Sequence, residues 1–248
     1  MECAINKKVI ITGMKLHRFY IHEMHNKFGK IELAESVWIH DEGLLNQWLK
    51  VLRYKIDDEL ILFNDQEERL YKVKDIEYPH SVKLSLITEL ERKIPNKKIT
   101  LLWSVLKKDK NDWVIQKATE LGVRDLVPII AERSEKTGIN QERAIKIITE
   151  ASEQCGRSDI PVIREPILLK EALAEYNNKN LYICEQHTDQ IADLHNISEA
   201  CVLIGPEGGW SDSEKESFKN QNLKHLVISN FTLRAETAAV IAISKFNP

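Results

Sequence analysis

The 248-residue sequence predicts an α/β protein with a mainly parallel sheet, preceded by a small β-rich unit. Three observations carry that expectation. From Leu16 to about Leu90, apolar and polar residues alternate at the period of strands. After Asn96, apolar strand-like runs alternate with stretches of helical spacing, the pattern of a parallel sheet flanked by helices. Between the two, "ERKIPNKK" (91–98) is polar and contains a proline, as a linker does. The expected divisions are residues 1–13, an extension ahead of a second methionine, Met14; residues 14–92, the β-rich unit; and residues 97–248, the α/β domain.

Taken in order, "DEGLLNQWLKVLR" (41–53) has helical spacing, with Leu45, Trp48, Leu49 and Leu52 on one stripe. "ELILFND" (59–65), "RLYKVKDIEY" (69–78) and "SVKLSLITEL" (81–90) alternate as strands do; Val82, Leu84 and Leu86 face one way, Lys83 and Ser85 the other. Beyond the linker, "ITLLWSVL" (99–106) is a buried strand. "KKDKNDWVIQKATELGV" (107–123) is a helix with an Asp or Asn cap near its start and Gly122 just past its end. "DLVPIIA" (125–131) is a strand and "NQERAIKIITEASEQCG" (140–156) a helix ending at glycine. "NLYICE" (180–185), "ACVLIG" (200–205) and "HLVIS" (225–229) are further strands, and a helix from about Arg234 to Phe246 follows.

Composition narrows the function classes. An apolar fraction of 43% and a charged fraction of 29% describe a globular protein with a core. No apolar run approaches a membrane span, and no secretory signal pattern opens the sequence, so a cytoplasmic protein is expected. Cys3, Cys155, Cys184 and Cys201 lie far apart, which suggests neither a zinc site nor a disulfide framework. The eight histidines show no metal-binding spacing, and no metal is expected. The net charge of −3 makes any nucleic-acid surface a local patch.

Two loops sit where a parallel sheet binds ligands, beyond the carboxyl ends of strands. The first is Gly205-Pro206-Glu207-Gly208-Gly209. Its glycines fit neither a P-loop nor a dinucleotide fingerprint. Ser211 and Glu214 form a capping box for the helix that follows, and the acids there oppose a bound phosphate. A tight turn, or a backbone cradle for a neutral or cationic ligand, both remain open. The second loop is Ser229-Asn230-Phe231-Thr232, ahead of "LRAETAAVIAISKF". Arg234 opposes the helix dipole there. Either an acid pairs with it, tying two loops together, or it faces an anionic partner. Lys107, Lys108 and Lys110 form either a phosphate-contacting patch or a solvated helix start. Arg157, beyond Gly156, either belongs to a helix cap or contacts RNA, and His17 and Arg18 near the first β segment read similarly.

Together "LIGPEGGWSDSE", "TLRAETAAVIA", "DWVIQKATELGV", "IIAERSE" and "EASEQCGR" resemble the bacterial 16S ribosomal RNA (uracil-N3)-methyltransferase family of the SPOUT superfamily. "HRFYI" (17–21) and "VLRYKIDDELILF" (51–63) match its amino-terminal pattern, so the resemblance runs from about Met14 onward. It implies a PUA-like RNA-docking β-barrel, then a SPOUT-type α/β domain whose carboxyl-terminal part forms a trefoil knot. It also implies a homodimer that binds S-adenosylmethionine in the knot and acts on 16S ribosomal RNA in the small ribosomal subunit. Matched by position, the cofactor cradle comprises Leu203, Ile204, Gly205, Gly208 and Gly209 with Ile228, Ser229, Thr232 and Leu233. Arg234 and Glu236 fall in the signature beside the reacting base; Arg234 would stabilise charge on the uracil, and Glu236 would orient Arg234 or accept the N3 proton. His17, Arg18, Lys107, Lys110 and Arg157 are the RNA-contact candidates. Three positions depart from the family pattern: Ser229 and Asp57 stand where glycine is common, and Phe231 where a polar residue is usual. A SPOUT enzyme with another target nucleotide and a binding-only assembly factor are the competing readings.

Overall fold

The computed structural model describes residues 16–21, 25–26, 29–30, 33–185, 194 and 197–246; at 25, 26, 29, 30, 108 and 185 it describes the backbone alone. The proposed extension, residues 1–13, lies outside the described residues. The chain divides into two compact units, Met1–Leu90 and Glu91–Pro248.

In the first unit, five strands lie in the order β1 (Arg18–Tyr20), β5 (Glu59–Phe63), β6 (Glu68–Glu77), β7 (Ser81–Glu89) and β4 (Ser36–Ile39). The β1–β5 pair is parallel and the others antiparallel. Two-residue strands β2 (His25–Asn26) and β3 (Gly29–Lys30) pair separately. Alternation drives the packing: Leu60, Leu62, Tyr71, Val73, Val82 and Leu84 point into one core with Phe19, Ile39 and Trp48. The helix expected over 41–53 has a different form. Asp41 caps a short α1 (Glu42–Leu45) by accepting from the Leu44 N–H at 2.8 Å, and the chain then widens into a π-turn over Asn46–Val51. Leu45 and Trp48 are buried, whereas Leu49 and Leu52 are only partly covered while still packing against the same core.

The second unit holds a parallel sheet ordered β10 (Val162–Ile163), β9 (Asp125–Ile130), β8 (Lys98–Ser104), β13 (Glu199–Ile204), β12 (Leu181–Glu185) and β14 (Leu223–Val227), with β11 (Ile167–Leu168) also on β9. Every pairing described in it is parallel. Such a sheet needs cover on both faces, and its strands supply apolar residues to both. Ile99, Leu101, Trp103, Val202 and Ile204 meet α2 (Lys108–Glu120), α3 (Gln141–Cys155) and α6 (Ala235–Phe246). Leu102, Val127, Cys201 and Leu203 meet α4 (Leu169–Tyr176) on the other side. Helix α4 had no counterpart in the sequence assignment, although its buried Leu169, Ala172, Leu173 and Tyr176 follow helical spacing.

The helix boundaries carry one correction. No Asp or Asn caps α2; Lys107 occupies that position without a side-chain hydrogen bond. Asn111 instead turns inward. Its Oδ1 accepts from the Trp103 indole and from the Leu106 N–H, both at 3.0 Å, while its Nδ2 donates to the Leu106 carbonyl at 2.7 Å. These bonds satisfy polar groups that burial would otherwise leave unpaired. Helix α3 begins at Asn140 and ends at Gly156, which has φ 83°.

Candidate functional site

Because β8, β12, β13 and β14 run parallel, their carboxyl ends share one edge. The loops after β13 and β14 close a cavity of about 670 Å³ there, within the range of roughly 300–1,000 Å³ common for small-molecule sites. Ile204, Gly205, Pro206, Glu207, Gly209 and Trp210 wall it on one side. Ile228, Ser229, Phe231 to Ala235 and Ala238 wall it on the other, and Cys184 and Lys110 complete it.

Two of the clustered glycines have direct physical causes. A Cβ on Gly205 would lie 2.9 Å from the Trp210 indole, a separation that forces movement, so glycine there admits the tryptophan. Gly209 has φ 67°, the left-handed region, and its N–H donates to the Pro206 carbonyl at 2.9 Å. The turn then enters α5 (Asp212–Phe218) through a reciprocal cap. Ser211 Oγ accepts from the Glu214 N–H at 3.1 Å, and Glu214 Oε2 accepts from the Ser211 N–H at 2.8 Å. The other Glu214 oxygen accepts from the Glu132 N–H at 2.8 Å, anchoring the end of β9 to α5.

Of the cradle residues inferred from sequence, Ile204, Gly205, Gly209, Ile228, Ser229, Thr232 and Leu233 line this cavity. Leu203 and Gly208 do not. Strand alternation turns Leu203 into the core on the opposite face of the sheet, and the Gly208 carbonyl accepts from Arg133 at 3.1 Å.

Arg234 is exposed and lines the cavity, and among the described residues its guanidinium makes no hydrogen bond or ion pair. The salt bridge that could have tied the two loops is therefore not made by Arg234. It is made by Lys110, in the first turn of α2, which pairs with Glu207 and lies 3.9 Å from Glu236 Oε2. Glu236 is not among the residues lining the cavity, and among the described residues it makes no ion pair or hydrogen bond with Arg234. The Cys184 thiol is pushed up to about 12 by burial, so it is protonated at neutral pH and unsuited to nucleophilic attack.

The RNA-contact candidates scatter. Arg157 is 6% exposed; it clasps Asp159 and donates to the carbonyls of Thr119 and Val123 at 2.9 and 3.0 Å. That burial gives it a structural task in closing the α2–β9 turn and corrects the expectation of an RNA contact. Arg18 pairs with the buried Glu68 and lies 5.0 Å from the centre of the Phe63 ring. His17 Nδ1 is 3.2 Å from the Tyr54 hydroxyl. Lys107 remains exposed, with Glu135 at 3.3 Å.

Sequence reasoning missed Trp210, Cys184 and the part of Lys110 in this cavity. The first two were signalled, since one follows the glycine cluster and the other closes a buried strand. The place of Lys110 was not, because its partner Glu207 is 97 residues away.

Among known proteins, the family profile described as "RNA methyltransferase domain" matches residues 92–247. The ribosomal RNA small subunit methyltransferase E of Rickettsia conorii is 32% identical over 240 residues, covering 94% of this chain and 95% of the relative. The Aquifex aeolicus protein of the same name is 33% identical over 243 residues, covering 92% and 98%. A Legionella pneumophila methyltransferase solved with bound SAM aligns with a TM-score of 0.80 at 26% identity, over 94% of this chain and 97% of that one. A ribosomal RNA small subunit methyltransferase E from Neisseria gonorrhoeae, bound to S-adenosyl methionine, shares the fold with a TM-score of 0.76 at 24% identity, over 93% and 96%. The likeness spans both units, and the chain belongs to the ribosomal RNA small subunit methyltransferase E family of RNA methyltransferases.

Proposed function

We propose that this protein transfers a methyl group from S-adenosylmethionine to N3 of a uridine in the 16S ribosomal RNA of the small subunit. The observation that carries this reading is Arg234, an exposed cation with no partner among the described residues, at the mouth of a cavity built by the strand-end loops. The reading includes a homodimer, a PUA-like first unit that docks RNA, and a carboxyl-terminal trefoil knot. In support of the knot, β14 lies outside β12, yet α6 packs on β8, β13 and α2; the chain after Val227 therefore crosses back past β12.

The residues present fit the methyl donor. Ile204, Ile228, Leu233 and Ala238 give an adenosine group an apolar wall. When bound, S-adenosylmethionine supplies a methyl group activated by a positively charged sulfur. The loops after β13 and β14 would hold it and exclude water from it. Uracil N3 carries a proton at neutral pH; transfer would break the sulfur–methyl bond, leave neutral S-adenosylhomocysteine and release the N3 proton to water, so the base gains negative charge as that proton departs. Arg234 would place a positive charge beside the uracil oxygens, where that charge develops. Because N3 lies on the pairing edge, the uridine must be unpaired or displaced from its stack to enter. Lys107 retains an exposed ammonium for a phosphate, whereas Arg18 is committed to Glu68.

The test is incubation with labelled S-adenosylmethionine and 30S particles lacking native uridine methylation, followed by digestion and nucleoside identification. Label in N3-methyluridine is expected. Arg234→Ala should lower turnover by about 10²-fold, the scale for removing one charge-stabilising donor, with cofactor affinity retained. Label in another nucleoside would keep the enzyme class and reject the substrate. Cofactor binding without any transfer would favour a binding-only protein.

A further inference from the structure

Among the described residues, Lys110 is the one cavity-lining residue contributed by α2, and its ammonium lies between the loop after β13 and the start of α6. Its ammonium pairs with Glu207, on the loop after β13, and lies 3.9 Å from Glu236 Oε2, in the first turn of α6. That carboxylate oxygen is buried and has no hydrogen-bond partner among the described residues, so the nearby Lys110 ammonium compensates it. The three side chains are 30%, 26% and 14% exposed. Ion pairs shielded to this degree are screened less by solvent than surface pairs are. Without the ammonium, two carboxylates would face each other across the junction of the loop and α6, and like charges there would push the loop outward.

We infer that Lys110 is a positioning residue for the methyl donor. It holds the Glu207 loop and the start of α6 at the spacing the cofactor requires, acting through the two acids and not through RNA phosphate. The inference rests on the proposed function for the identity of the ligand.

The test uses the full-length protein and calorimetric titration with S-adenosylmethionine in the absence of RNA. Lys110→Ala is expected to weaken the cofactor about 10-fold, the scale of one hydrogen bond to a charged group. Lys110→Arg should restore most of that affinity. Glu207→Gln should also weaken binding in the wild-type background, yet in the Lys110→Ala background it should recover part of the lost affinity, since it removes one of the two facing carboxylates. Affinity for 30S particles, and its dependence on salt, should stay unchanged within about 2-fold. The inference is overturned if Lys110→Ala keeps cofactor affinity but binds 30S particles less tightly, with a salt slope shallower by about one, because that identifies a phosphate contact. Failure of Lys110→Arg to restore binding would overturn it as well. Should Lys110→Ala unfold, Lys110→Met preserves the aliphatic stem and carries the same expectation. Wild-type protein that binds the cofactor without methylating 30S particles would reject the proposed substrate and leave the Lys110 measurement standing; wild-type protein that binds no cofactor would sink both.

Discussion

Asp57 shows how a single residue can carry local strain. Its φ is 75°, a region in which a side chain is penalised and glycine is not. The turn is nevertheless pinned: the Asp57 N–H donates to the Val73 carbonyl at 2.9 Å, and the Val73 N–H to the Asp58 carbonyl at 2.8 Å. The departure from glycine noted in the sequence therefore falls where backbone geometry favours glycine. Asp57→Gly is expected to raise stability by about 0.5–1 kcal/mol, less the entropy glycine adds to the unfolded chain, as measured by urea denaturation. Arg157 is the opposite case, a charge whose position hides it. With its guanidinium divided between Asp159 and two carbonyls, Arg157→Ala strands those buried acceptors. About 3 kcal/mol of lost stability is expected by the same denaturation measurement, the scale for breaking a buried charged network. Sequence could not separate this outcome from an RNA contact, because both readings place an arginine just beyond a helix-ending glycine.

At the scale of elements, the join between β9 and α5 concentrates the local chemistry. Ser211 and Glu214 cap α5 reciprocally, and Glu132 accepts from Ser213 at 2.5 Å. Ser211→Ala should cost about 1 kcal/mol in urea denaturation. Hydrogen bonds from Ser213 and then Ser211 hold the Glu132 carboxyl below the usual carboxylate range. A carboxylate with a depressed native pKa contributes stability that is present above its unfolded pKa and lost as pH falls through the native one. Glu132→Gln should therefore remove part of the acid-side loss of stability below about pH 4, seen as converging unfolding midpoints of variant and wild type. The capping box was legible because four consecutive residues specify it. The α2 cap was misjudged for a tertiary reason: Asn111 satisfies the Trp103 indole and the backbone of Leu106 instead. The 41–53 helix was legible as a stripe, but its π-turn was not, since that widening adjusts how Trp48 seats in the core.

For the whole molecule, burial decides which groups are chemically available. Cys155 is exposed, Cys184 is raised to about 12 and Cys201 to about 11, both by burial. Iodoacetamide at pH 8 should therefore alkylate Cys155 in the native protein and spare Cys184 and Cys201; peptide mass spectrometry showing early label at Cys184 would contradict the burial that keeps its thiol protonated at the cavity wall. The parallel sheet explains why the two ligand loops converge at all, since strands aligned in one direction bring their carboxyl ends to one edge. By itself the sequence determined the main strands and helices after Asn96 apart from β10, β11 and α4, the glycine-ended helix α3, the capping box and the two loops that line the cavity. Each of these is set by neighbours within a few residues, through periodicity, capping and turn chemistry. Only the tertiary structure decided that Leu203 faces away from the cavity, that Gly205 makes room for Trp210, that Arg157 is internal, and that Lys110 joins Glu207 and Glu236 while Arg234 pairs with none of the described residues. Most of those outcomes depend on residues brought together from distant parts of the chain, or on which face of the sheet is covered by which helix, and no local pattern encodes either.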